Sequence, residues 1–314
     1  MALTILRRLA AAVITLLVVI VTVFLLQQLV PGDPAIAIAG EDATPEVIAQ
    51  IREQLNLNRS LPVQLVEYVW HAMTFQLGTS LQSQQPVTQL LRDALPVTVS
   101  LALVSLLFTL VVGIAAGTLA AMKPGSWIDR LLVGSSAVAL AIPPFVTGLL
   151  LQRVFGVRLG WLPAIGYTPI TEDPVLWFKG LILPGLTLAA ISAAEVARQL
   201  RGNLIDTREQ DYIRTLRAKG LPVSLVLFKH AYRNAAAPML TVLGIQFGSI
   251  IGGAVIIEQV FALPGLGQTG VNAILSQDFP VVQGVVLFGA TMVILLNLAV
   301  DLINTKLNPR VAHQ

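Results

Sequence analysis

Six long apolar runs give the chain its outline. Residues 9–30, 97–122, 131–155, 176–197, 239–261 and 281–303 each supply about the 20 residues that an α-helix needs to cross a bilayer. Two polar stretches stand apart from them, 31–96 and 205–238. The pattern predicts an all-α polytopic membrane protein with six transmembrane helices. It divides into an N-terminal helix (1–30), a helical insert outside the bilayer (31–96), a five-helix core (97–306) carrying a loop at 198–235, and a tail (307–314).

The polar run at 205–238 has its own periodicity. Asp206 is the expected N-cap of a helix over 206–219, with Glu209 at the capping-box position and Tyr212, Ile213 and Leu216 on one face. Gly220 ends that helix, and Arg214, Arg217 and Lys219 fall in its last turn, where the helix dipole favours cations. Pro222 is placed to open a second short helix reaching Arg233. A basic helical hairpin between two spans holds an apolar stripe out of reach of lipid, so the stripe is expected to dock on a protein.

In the insert, Thr44-Pro45 and Ser60 with Pro62 are helix starts. The first expected helix turns Val47, Ile48, Ile51 and Leu55 to one face, the second Val63, Val66, Val69, Trp70 and Met73, and a glycine turn follows at Gly78. Scaffold packing is the expectation for this segment. In the core, Gly113 with Gly117, and Gly244, Gly248 and Gly252, recur at the four-residue spacing that lets helices approach closely, the second set suiting a subunit interface. Pro143-Pro144 should kink or interrupt the third span, and broken helices border transport pathways in many carriers. Trp161 and Trp177 suit membrane interfaces. Glu258, near the outer end of the fifth span, reads as an interfacial cap, a structural anchor or a gate.

Composition sharpens the class. Hydrophobic residues make up 55% of the chain and charged residues 12%, where a soluble domain has about a quarter charged. If both termini lie in the cytoplasm, fourteen of the 20 basic residues fall on the inner side, Arg7 and Arg8 among them. The apolar run after those arginines is longer than the roughly 7–15 residues of a signal-peptide core, so it reads as a retained helix. There is no cysteine, no phosphate-binding G-x-x-x-x-G-K-[ST] and no H-E-x-x-H, and His71, His230 and His313 are scattered. The sequence thus offers no metal site, no cofactor and no enzyme chemistry, and its net charge of +3 has no nucleic-acid footprint.

The run Asp211 to Leu221, followed by His230 and Arg233-Asn234, resembles the cytoplasmic coupling loop of ABC importer permeases of the peptide type. So do Pro31-Gly32-Asp33-Pro34, the Glu258 to Gly267 segment with its Phe261 and Pro264-Gly265-Leu266-Gly267, and the tail Leu307-Asn308-Pro309-Arg310. Leu216 stands where that family usually has alanine, Gln76 where an acid is usual, and Asn308 where aspartate is common. The resemblance implies a type I permease fold in the bacterial plasma membrane. It assigns coupling to ATPase subunits to Asp211, Tyr212, Arg214, Arg217, Ala218, Lys219, Gly220, Leu221 and His230. Candidates for a gate or pathway are Pro143, Pro144, Glu258, Pro264 and Gly265.

Implied partners are a second, homologous permease, two ATPase subunits holding ATP and Mg, an extracytoplasmic binding protein, and a dipeptide or oligopeptide. Glutathione or a nickel complex is the alternative cargo. A stand-alone secondary transporter or channel is the rival class, and a membrane anchor without transport is a further one. The ionisable groups that a secondary transporter places at mid-membrane are not expected in the central thirds of these spans.

Overall fold

The computed structural model describes residues 2–29, 35–36, 43–54, 56, 58–222 and 225–307. Among them the chain is helical, and the β-structure consists of one isolated bridge, Thr79 to Pro86. The helices are α1 (Ala2–Gln28), α2 (Pro45–Gln54), α3 (Leu61–Met73), α4 (Val87–Met122), α5 (Trp127–Ala141), α6 (Pro144–Leu151), α7 (Pro174–Glu209), α8 (Asp211–Ala218), α9 (Tyr232–Phe261), α10 (Leu266–Leu275) and α11 (Phe279–Leu307). A π-helical segment, Gln152–Arg158, continues α6, and another, Val226–Ala231, leads into α9. The Pro31-Gly32-Asp33-Pro34 turn, Leu55, Asn308, Pro309, Arg310 and His313 lie outside the described residues, as do the side chains of Arg7, Arg8, Ile51, Arg233 and Asn234.

Four described helical segments are long and apolar enough to cross a bilayer: Val87–Met122, Pro174–Glu209, Val242–Phe261 and Phe279–Leu298. A fifth crossing is made if the bent pair Trp127–Ala141 and Pro144–Arg158 counts as one, and Ala10–Leu26 is a shorter apolar helix. The bend in that pair is 104°. Ile142 and Pro143 each precede a proline, which disfavours helical backbone, and both are extended, with ψ of 125° and 138°. The third run is therefore interrupted, as the two prolines require.

The chain forms two compact units, Met1–Pro96 with Gly265–Ile294, and Val97–Pro264 with Leu295–Gln314. In the first, Ile20, Ala72 and Leu287 pack together, and Phe24 stacks on Tyr68. Burial pushes the Tyr68 phenol up to about 12. This corrects the expected stripe of α3: Val63, Val66, Trp70 and Met73 are exposed, and the packed face is Tyr68, Val69 and Ala72, where the small Ala72 lets the helix approach its neighbour. At the start of α2, Glu46 is held below its usual range by its own backbone N–H and by the Thr44 hydroxyl. Asp278, just before α11, is buried and accepts from Ser80 Oγ at 2.5 Å and from the N–H groups of Leu81 and Gln82 at 3.1 and 3.4 Å. It ties the glycine turn down.

In the second unit Leu101, Leu181, Leu183, Ile250, Ile257 and Phe261 form the centre of a core shared by α4, α7 and α9. Where α4 meets α7 the glycines are needed for contact. A Cβ on Gly117 would lie 2.7 Å from the Ala197 carbonyl oxygen, and one on Gly113 2.9 Å from Val196 Cβ. Gly248 and Gly252, by contrast, have nothing within 4 Å of that position. Trp161 is exposed beside Phe155, whereas Trp177 packs against the core with its indole N–H buried, so it is not a surface anchor.

Candidate functional site

The helix α7 has 36 residues, about 54 Å at 1.5 Å per residue, against a bilayer core of about 30 Å. Its run past Ala197 to Glu209 carries it to the polar loop, which overturns the expected start of the next helix. Asp206 is an interior residue of α7 and not an N-cap, and Glu195 and Arg198 pair with each other within the helix. The interruption falls at Gln210, which is extended (φ −71°, ψ 147°), and α8 starts at Asp211. One non-helical residue therefore joins the 36-residue α7 to the short helix.

The short helix ends in a glycine turn. Gly220 is left-handed (φ 76°), its N–H donates to the Arg217 carbonyl at 2.9 Å, and the Leu221 N–H donates to the Leu216 carbonyl at 3.4 Å. Those two bonds define a Schellman motif, with Leu221 and Leu216 in the same apolar cluster. A Cβ at Gly220 would meet nothing within 4 Å, so it is the backbone angle that calls for glycine. The chain then enters the π-helical segment Val226–Ala231 and α9, which starts at Tyr232 and not near Met239. The helix expected to open at Pro222 is not closed off near Arg233: the Val226 N–H donates to the Pro222 carbonyl at 3.1 Å and the segment runs on into α9, with residues 223–224 outside the described residues.

The apolar stripe of α8 is covered by its own chain. Ile213 is fully buried against Leu200, Leu204, Val226 and Ala231, with Tyr212, Leu216 and Leu221 half-buried around it. The expectation that this stripe docks on another protein is thus corrected: it fastens α8 to the ends of α7 and α9. What α8 leaves open is its polar side, Asp211, Arg214, Arg217, Ala218, Lys219 and Gly220. Asp211 and Arg214 pair loosely at 3.5 Å in full solvent, an interaction worth little. His230 is half-buried in the π-helical segment, and the neighbouring Phe228 is 62% exposed while stacking on Tyr232. Phe228 was not singled out from the sequence, because an isolated aromatic gives no periodic signal.

Of the other candidates, Glu258, Pro264 and Gly265 follow one another at the far end of α9. Pro143 caps α6 and is exposed, and Pro144 is half-buried. The break they create lays Gly148 near Phe261, where a Cβ would stand 3.2 Å from the ring. Glu258 is 0% exposed and accepts from Thr98 Oγ1 at 2.6 Å, so the reading as an interfacial cap is corrected. Its carbonyl accepts the Leu263 N–H, and Ala262 between them is left-handed (φ 49°). Pro264 is exposed, and Gly265 is buried as the N-cap of α10. No group of three or more metal-ligating side chains occurs among the described residues.

One feature near α8 was not legible in the sequence. Asp129, in the first turn of α5, is 3% exposed and is gripped by Arg201 through Nε at 2.5 Å and Nη2 at 2.7 Å. Seven residues on, Arg208 Nη1 donates to the Ala121 carbonyl at 2.6 Å.

With this geometry in view, the comparisons with known proteins decide the family. Residues 113–313 match the model for the binding-protein-dependent transport system inner membrane component, and residues 1–102 match the model for the N-terminal part of such membrane components. The chain belongs to this family. It is a permease subunit of an ABC importer. It is 43% identical over 309 residues, 98% of each chain, to a protein of Brucella abortus provisionally named a peptide transport system permease. It is 39% identical over 310 residues, 99% of each, to the glutathione transport system permease protein of Salmonella typhimurium. The permease also shares its fold with a chain of the MetNI methionine ABC transporter in an inward-facing conformation, with a TM-score of 0.58 and 21% identity over 71% of this chain and 98% of that one.

Proposed function

We propose that this permease forms one half of the pathway of an ATP-driven peptide importer and receives the power stroke through α8. The observation that carries the reading is the build of that helix. Its apolar face is locked onto the ends of α7 and α9 while its basic face is open, and one residue separates it from α7. A push on α8 is therefore a push on the ends of the two flanking helices. Lys and Arg on the open face suit an acidic or carbonyl-lined cleft on a partner.

On this reading the chain crosses the bacterial plasma membrane six times with both termini in the cytoplasm. A second, homologous permease completes the pore. Two ATPase subunits bind ATP and Mg and do the hydrolysis, this chain being non-catalytic, and a binding protein outside delivers cargo. The names of the relatives favour a short peptide, with glutathione, itself a tripeptide, as the alternative. Arg214, Arg217, Ala218, Lys219 and Gly220 meet the ATPase, Tyr212 and Leu221 seat the helix, and Phe228 with His230 borders the contact. Glu258 anchors the far end of α9, just ahead of the Pro264-Gly265 turn, and the break at Pro143-Pro144 opens α6, whose Gly148 lies near Phe261.

The test is purification of the chain from its native membrane in mild detergent, followed by reconstitution. Co-purification of a second permease and ATPase subunits, with uptake of labelled peptide that requires ATP, is the expected result. A chain that purifies alone and moves peptide on an ion gradient contradicts the reading and makes it a secondary transporter. One that assembles but supports no flux makes it an anchor.

A further inference from the structure

Two arginines on one face of α7 hold the connection between α4 and α5. Arg201 and Arg208 are seven residues apart, two helical turns, so they lie in line. Arg208 donates to the carbonyls of Ala121 and Met122, at 2.6 and 3.3 Å, and so caps the last turn of α4. Arg201 takes both carboxylate oxygens of Asp129, which also accepts the Gly125 N–H at 2.8 Å, while the Ser126 hydroxyl caps the Asp129 N–H. The turn from Lys123 to Ser126 is bracketed on both sides.

The bracket is built more firmly than a turn requires. A helix start needs only an exposed carboxylate near its first N–H groups. Asp129 is instead 3% exposed, and a buried carboxylate is tolerated only when paired and hydrogen-bonded, as it is here. One turn before Arg201 on α7, the backbone contact of Gly117 with Ala197 leaves no slack for sliding. On the other flank of the loop, the hydroxyls of Thr118 in α4 and Tyr232 at the start of α9 are hydrogen-bonded. Both ends of the segment that carries α8 therefore converge on the same end of α4.

We propose that Asp129 and Arg201 are positioning residues for coupling: they weld α4 and α5 to α7, so that displacement of α8 moves these helices as one body. The proposal rests on the coupling role given to α8 above. Without the pair, α8 still docks and ATP is still hydrolysed, but the motion is absorbed between α7 and the α4–α5 turn.

The experiment uses the whole reconstituted complex and reads ATP hydrolysed per labelled dialanine or glutathione taken up, a ratio that protein quantity does not alter. Asp129→Asn and Arg201→Gln are expected to raise it about tenfold, within the range of coupling free energies between sites. The chain has no cysteine, so Asp129→Cys with Arg201→Cys adds its only two thiols. Reduced, this pair behaves like the neutral variants, and joining the thiols with a short bifunctional reagent returns the ratio to that of the parent. If the neutral variants fail to assemble, Arg201→Lys, which keeps the charge and gives up the two-pronged grip on Asp129, stands as the test, with a smaller rise in the ratio expected and an unchanged ratio counting against the proposal. An unchanged ratio in the neutral variants overturns the proposal. So does a bridged complex that hydrolyses ATP but moves no substrate, because the helices would then have to part during the cycle. If the parent complex itself shows no ATP-dependent uptake, it is the underlying coupling reading that fails.

Discussion

The two ends of the second unit are fastened by different chemistry. At the end bearing α8, Asp129 is held by a guanidinium, Arg208 caps α4, and the turn after α8 has glycine at its left-handed position. At the far end of α9, Glu258 is buried and accepts a hydrogen bond from the Thr98 hydroxyl. The turn there makes the same two backbone bonds as the Gly220 turn, yet its left-handed residue is Ala262. One end is charge-tied and relaxed. The other combines a buried carboxylate with a left-handed residue that is not glycine, which is the kind of place where a helix bundle changes arrangement.

Substitutions at matched positions can break this contrast. The largest effect belongs to the charge-tied end: Gly117→Val forces a side chain onto the Ala197 backbone and should cost on the order of 3 kcal/mol. Gly248→Val, where a Cβ meets nothing, should leave the isolated chain unchanged and weaken only the assembly with the second permease. Thermal unfolding in detergent with and without the partner separates the two. At the far end, Glu258→Ala removes a buried side chain and one acceptor of the Thr98 hydroxyl, an expected loss of about 2 kcal/mol, while Glu258→Gln keeps an acceptor and loses less. Equal losses in both variants would mean that the charge of Glu258, rather than its hydrogen bond, is what matters.

The paired turns give smaller effects of opposite sign. Gly220→Ala should cost about 1–2 kcal/mol by placing a Cβ at a left-handed position. Ala262→Gly should gain up to about 1 kcal/mol, since glycine's extra freedom in the unfolded chain offsets part of the relief. A loss at Ala262→Gly would show that the far end is not strained. Smallest of all, Arg214→Ala with Arg217→Ala touches exposed side chains and should shift stability by no more than about 0.5 kcal/mol, while lowering peptide-stimulated ATP hydrolysis by the complex.

How much of this was legible depended on how local the cause was. The broken third run follows from Pro143-Pro144, and the end of α8 from Gly220, because each acts through its own backbone. The start of α8 was misplaced because Asp206 and Glu209 form a good capping pattern, yet packing of Leu200 and Leu204 carries α7 on to Glu209. The stripe of Tyr212, Ile213 and Leu216 was seen, but not that its cover comes from Val226 and Ala231. Asp129 gives no local signal, since nothing near it in sequence announces a partner 72 residues away. The wrong face of α3 has the same origin: five apolar residues outweigh one small Ala72 in a pattern, whereas in packing the small residue decides the approach.

The central claim is that the open face of α8 is where the ATPase acts. Because the chain has no cysteine, Arg217→Cys supplies a single thiol on that face. A thiol-directed photo-cross-linker placed there in the native membrane should join the permease to an ATP-hydrolysing subunit, with a yield that changes when ATP is bound. A cross-link that forms only to lipid, or to no ATPase under any nucleotide condition, would contradict the account.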